Sequence, residues 1–146
     1  MVFLSACGTK NIHNVQLENK EGNSKIYGSV FAECGEMVEE KYLEEQIVKR
    51  LQDKEIYGRD LVVKCKILHY DEGNRFARYV VGFGVGAATS SVKVFLETKD
   101  GSQLGSFEVA ANMSIGVFGG SALNTLESSA DIIVDFIVEK YIKQQE

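Results

Sequence analysis

The sequence predicts one α+β domain: a two-layer sandwich in which two helices cover one face of a mainly antiparallel sheet, in the order β-α-β-β-β-α. Three observations lead there. Two stretches, 35–54 and 121–141, repeat apolar residues at helical spacing, and four others alternate at strand spacing. A strong turn, Lys99-Asp100-Gly101-Ser102, joins two of the alternating stretches directly, which only antiparallel neighbours allow. The 146 residues suit a single domain able to bury its own core. With 45% hydrophobic and 25% charged residues, most of the chain has globular composition.

The first seven residues form an apolar segment ending in Leu4-Ser5-Ala6-Cys7. This resembles a lipobox, the Leu-small-small-Cys motif of bacterial lipoproteins, where lipid joins the thiol and a peptidase cuts before the cysteine. The resemblance implies that Cys7 becomes the first mature residue, carrying a diacylglycerol thioether and commonly a further acyl chain such as palmitate on its nitrogen. More than one chain makes such an anchor stable, at about 0.8 kcal/mol per buried methylene. Residues 1–7 then read as the remnant of a signal peptide. Six residues are too few for a basic n-region and a full apolar h-region, so the start is expected upstream of Met1. Gly8 in place of Asp after the cysteine favours the outer membrane, facing the periplasm. Residues 8–25, rich in Asn, Lys, Glu, Gly and Ser, read as a polar tether, and 26–146 as the folded domain.

Ile26 to Cys34 reads as the first strand, with Ile26, Val30, Ala32 and Cys34 on one face. After Gly35, Val38, Tyr42, Leu43, Ile47, Val48 and Leu51 mark an amphipathic helix ending near Lys54, and its Glu-rich side reads as a solvated face. Leu61 to Tyr70 is the second strand, with Leu61, Val63, Cys65 and Ile67 on one face, and a turn is expected at Asp71 to Asn74. Cys34 and Cys65 both point inward on this reading. With Cys7 acylated they are an even pair in an oxidising compartment, and either bridge or remain two buried thiols.

Ala87 to Thr98 and Gln103 to Ser114 form the hairpin, with Val92, Val94 and Leu96 meeting Phe107, Val109 and Met113. Ser121 can cap the second helix, whose Leu126, Ala130, Ile133, Ile137 and Tyr141 share a face. No run of 18 apolar residues occurs, so no helix of this chain can span a bilayer.

Between the second and third strands runs Gly73-Asn74-Arg75-Phe76-Ala77-Arg78-Tyr79-Val80-Val81-Gly82-Phe83-Gly84-Val85-Gly86. This run, with Asp100-Gly101, the segment Gly116 to Ser121 and the terminal helix, resembles the bacterial lipoproteins grouped as domain of unknown function 4410. The likeness covers roughly Leu61 to Tyr141. It implies an envelope lipoprotein and supplies no catalytic residues. By itself, a glycine at Gly82, Gly84 and Gly86 strips one strand face of side chains, which permits close internal packing. Alternatively, Tyr79 to Phe83 is an exposed edge for a partner or a second copy. Arg75 and Arg78 could bind a carboxylate or lipid phosphate, or simply pair with Asp71 or Glu72. A dinucleotide loop would need a helix after these glycines, where a strand is expected.

Function classes narrow accordingly. A net charge of -5 with interspersed signs disfavours nucleic acid. His13 and His69 alone make neither a zinc site nor a His-based triad, no cofactor is expected, and Ser90, Ser91, Ser128 and Ser129 lack a nucleophile-elbow context. The leading expectation is a non-catalytic, lipid-anchored module that binds or scaffolds an envelope component. A small envelope-polymer hydrolase using Glu97 and Glu108 across the hairpin is a second class, and a homo-oligomeric ring subunit a third.

Overall fold

The computed structural model describes residues 12–17, 26–71, 88–113 and 123–142. Five strands and two helices follow in the order β1 (Ile12–Leu17), β2 (Val30–Cys34), α1 (Val38–Asp53), β3 (Leu61–Asp71), β4 (Ala88–Thr98), β5 (Gln103–Met113) and α2 (Leu123–Ile137). A wider turn, Val138–Ile142, prolongs α2. The sheet order is β1-β5-β4-β3-β2, antiparallel throughout except for the parallel β2–β3 pair. The expected α+β sandwich, β-α-β-β-β-α from β2 onward, is therefore the architecture found.

Burial explains the layering. Leu61, Val63, Cys65 and Ile67 of β3 join Val92, Val94 and Leu96 of β4 and Phe107 and Val109 of β5 on the buried face. Against them lie Leu43, Ile47 and Leu51 of α1 and Leu126, Ala130, Ile133 and Ile137 of α2. The hairpin register sets Val92 opposite Val109 and Val94 opposite Phe107. Gly101, at φ +93, turns the chain where a side chain would be strained, and Ser102 N–H donates to Asp100 Oδ1 at 3.1 Å.

Two boundaries differ from the sequence reading. Ile12–Leu17, inside the stretch read as tether, is a strand on the sheet edge, paired with β5 through Ile12–Val109 and Leu17–Gly105. The register shifts between His13 and Gln16, where Asn14 adopts φ 54. That irregularity breaks the alternation by which a strand is recognised. The strand expected from Ile26 begins only at Val30. The Asp71–Asn74 turn beyond Asp71, and Ser121, lie outside the described residues.

The free border of β2 is capped in part by the chain itself. Val30 N–H donates to Ile56 O at 2.7 Å, and Gly58 N–H to Val30 O at 2.9 Å. Further along, Cys34 N–H donates to Glu44 Oε1 at 2.9 Å. Beyond the end of β2, Ile67 N–H donates to Glu40 Oε2 at 3.0 Å, while Oε1 accepts from Met37 N–H at 3.2 Å. Glu40 is buried, and its carboxylate stands where a longer β2 would have offered a carbonyl. Gly35 is needed beside it, because a Cβ there would lie 2.0 Å from Glu40 Oε1.

Candidate partner-binding surface

The helices cover one sheet face; the other carries alternating polar and aromatic residues. Lys64 pairs with Glu97 at 3.6 Å, and Glu108 accepts both Lys93 at 3.7 Å and His13 at 3.4 Å. Lys93 also lies 5.7 Å from the centre of the Phe95 ring. Glu97 and Glu108 thus serve separate pairs. Glu97 sits opposite Gln103 and Glu108 opposite Lys93, so the hairpin register does not bring them together as an acid–base couple. The expectation that they face each other across the hairpin fails because the Lys99–Ser102 turn sets a register in which Lys93, four residues before Glu97, stands opposite Glu108.

At the β2 border of this face the loop after α1 builds an aromatic and cationic cluster. Glu55, at φ 61, reverses the chain, and Tyr57 bridges to Val30. The Tyr57 ring then meets Phe31 at 5.9 Å between centroids, and the Arg59 guanidinium lies 4.7 Å from the Phe31 ring centre. Tyr57 is 42% exposed, and Arg59 is exposed as well. Sequence reading missed this cluster. Its one signal was Tyr57-Gly58-Arg59-Asp60, an aromatic and a cation around a glycine between two elements.

At the same end of the sheet an open cleft of about 420 Å³ is lined by Ile26, Tyr27, Asp60, Thr98, Lys99, Asp100 and Ser102. Asp60 Oδ2 accepts from Gly28 N–H at 3.0 Å. The Thr98 hydroxyl and the Ser102 amide hold the Asp100 carboxyl below its ordinary range, so it carries full charge at neutral pH.

Of the residues singled out in the sequence, Cys34 and Cys65 are brought together most closely. They are directly paired on β2 and β3, both buried and both free thiols. The hydrogen bond that the Cys65 thiol donates to Cys34, together with burial, pushes it well above its ordinary value. His69, on β3, meets the Thr89 hydroxyl at 2.9 Å, three strands along the sheet from His13 on β1. Ser90 and Ser129 are buried, and their hydroxyls have no hydrogen-bond partner among the described residues. Among the described residues no cluster of three or more His, Cys, Asp or Glu side chains could hold a metal ion. No described helix is long and apolar enough to cross a membrane. Cys7, Arg75, Arg78, Tyr79, Gly82, Phe83, Gly84 and Gly86 lie outside the described residues.

Comparison with solved structures returns this fold. A PelC dodecamer from Paraburkholderia phytofirmans superimposes with a TM-score of 0.57 at 10% identity, covering 89% of this chain and 99% of that one. A second PelC crystal from the same organism gives 0.55 at 10% identity over the same shares. A candidate lipoprotein of Caulobacter crescentus CB15 gives 0.50 at 15% identity, covering 75% of this chain and 85% of that one. At these identities the likeness is one of fold. No curated protein matches the chain. The model of one family matches residues 10–117, and the chain belongs to that family, described as Domain of unknown function (DUF4410).

Proposed function

We propose that the protein is a lipoprotein of the bacterial cell envelope, anchored through Cys7 in the outer membrane and facing the periplasm, whose domain binds or scaffolds another envelope component without catalysis. The observation that carries the binding role is the Phe31–Tyr57–Arg59 cluster. Tyr and Arg dominate the energetics of protein interfaces, and here both are packed against Phe31 on an exposed surface beside β2 before any partner arrives. The envelope location draws on Leu4-Ser5-Ala6-Cys7 and on the lipoprotein resemblance.

Intact mass spectrometry of the membrane-extracted product, expressed with its native upstream sequence, tests the anchor. A mass for a chain starting at Cys7 plus acyl groups supports it; an unmodified chain retaining Met1 refutes it. Turnover of murein or phospholipid by the purified domain would overturn the non-catalytic assignment. The separation of Glu97 from Glu108 removes the particular motive for a glycosidase.

A second reading is self-assembly. It is favoured by the PelC dodecamers, which share the fold. Sedimentation that finds only monomer at high protein concentration removes it.

A further inference from the structure

We propose that Cys34 and Cys65 are a disulfide-forming pair, bridged while the chain folds in an oxidising compartment and sealed in the core thereafter. The compartment rests on the envelope location proposed above; the pairing does not. Cys34 stands directly opposite Cys65 across the parallel β2–β3 pair. Both belong to the core that α1 and α2 cover, so the two thiols project to the same side of the sheet. Facing residues on neighbouring strands lie about 4.7–4.9 Å apart, inside the range of about 4.4–6.8 Å that disulfides span between Cα atoms. A bridge also brings the Cβ atoms to about 3.8 Å. Cys34 is the last residue of β2, so that small closure falls at a strand end rather than within the ladder. The two free thiols are the reduced form of the pair, and the raised titration of Cys65 belongs to that form.

The oxidant is a second disulfide, carried by a small thiol or by a dithiol oxidoreductase. One cysteine thiolate attacks a sulfur of that disulfide and expels the first thiolate. The other cysteine thiolate then attacks the mixed disulfide, forms the Sγ–Sγ bond and expels the second. The protons of Cys34 and Cys65 go to the two released thiolates, and two electrons pass from the pair to the oxidant.

Burial decides when this exchange occurs. The thiolate is the nucleophile, and in the folded dithiol the bond to Cys34 and burial hold the Cys65 thiol well above its ordinary value. The nearby Glu44 and Glu40 carboxylates act in the same direction. An incoming disulfide must also reach two sulfurs inside the core. The folded dithiol is therefore slow to oxidise, the folded bridge is slow to be reduced, and the state is fixed as the chain folds. Once made, the bridge closes a ring around α1 and the loop carrying Tyr57 and Arg59. It also pins β2, which bears Phe31, against β3, and so holds the candidate partner surface in place.

The full chain carrying Cys7→Ser retains only Cys34 and Cys65 of its three cysteines. It is unfolded and reduced, then refolded either with glutathione and glutathione disulfide or with reductant alone. Iodoacetamide under denaturing conditions, followed by intact mass spectrometry, counts the free thiols. Refolding with the disulfide is expected to leave no free thiol and no attached glutathione, and refolding in reductant to leave both thiols free. The bridged form should melt about 10 °C above the dithiol form. Given glutathione disulfide, the folded dithiol should oxidise at least about tenfold more slowly than the same chain in urea.

Glutathione on both cysteines without a bridge, or a bridged form that melts no higher than the dithiol, overturns the pairing. Oxidation of the folded dithiol as fast as that of the unfolded chain overturns the sealing. Trapping thiols at lysis, in cells expressing the native gene with its upstream sequence, separates this claim from the location. A lipidated chain with both thiols free overturns the bridge and leaves the envelope location standing. An unlipidated chain with free thiols that still bridges on refolding sinks the location, and bridging in the cell with it, but not the pair's chemistry.

Discussion

Replacing Gly35 by Ala should destabilise the protein or mildly stabilise it, depending on whether residue 40 is glutamate. In the native chain a Cβ at Gly35 would stand 2.0 Å from Glu40 Oε1. The carboxylate must then move, although it is held by Ile67 N–H at 3.0 Å and Met37 N–H at 3.2 Å. Hydrogen bonds to a charged group contribute about 1.5–3 kcal/mol each. Ile67 N–H is buried and has no water to fall back on, whereas Met37 N–H is only part-buried. Glu40→Ala is therefore expected to cost about 3–4 kcal/mol, and Gly35→Ala about 2–3 kcal/mol. Once Glu40 is Ala the clash has no target. Gly35 has an ordinary backbone conformation, so Gly35→Ala in that background should be neutral or stabilising by about 0.4–1 kcal/mol. Equilibrium urea unfolding followed by far-ultraviolet circular dichroism measures all four corners of the cycle. Equal destabilisation by Gly35→Ala in both backgrounds would refute the claim that this carboxylate replaces a missing strand.

Three further outcomes follow from the same geometry. The Cys65 thiol titrates above its ordinary value of 9.0 in the folded chain, so the stability it contributes is complete below that pH and is lost as pH rises above it; Cys65→Val should flatten the alkaline fall of the urea midpoint. Tyr42 donates to Glu127, whose carboxyl is held below its ordinary 4.5 by that bond and by Asn124. Tyr42→Phe should cost about 1–2 kcal/mol at pH 7, and the difference from wild type should shrink as pH falls below 4.5, as read by thermal unfolding at a series of pH values. Gly101→Ala, at φ +93, should cost about 1 kcal/mol and lower the melting temperature by several degrees without changing far-ultraviolet dichroism.

The parts of the fold that sequence reading located are those where burial and periodicity coincide. Val92, Val94 and Leu96 alternate because one face of β4 is buried, and Leu43, Ile47 and Leu51 recur because one side of α1 is. β1 was missed because it sits at an edge, where burial is incomplete and Asn14 interrupts the register. The parallel pairing of β2 was equally invisible, since alternation along a strand says nothing of its neighbour's direction. Glu40 and Glu44 read as members of a solvated acidic side, yet both bind strand amides, because their role depends on where β2 stops. The Phe31–Tyr57–Arg59 cluster joins Phe31 to residues 26 and 28 positions further on and arises only once the loop after α1 folds back on β2.

The two borders of the sheet are chemically unlike, and this bears on what happens when copies of the chain are crowded. At the β2 border the Val30 and Cys34 amides are already occupied by Ile56 and Glu44. At the other, β1 is six residues long and kinked at Asn14. An incoming strand therefore finds two amides already taken at one border and a short, distorted template at the other, and fibrils grow by stacking strands on continuous, straight edges. Among the described strands, neither border is therefore a good template for strand-by-strand growth.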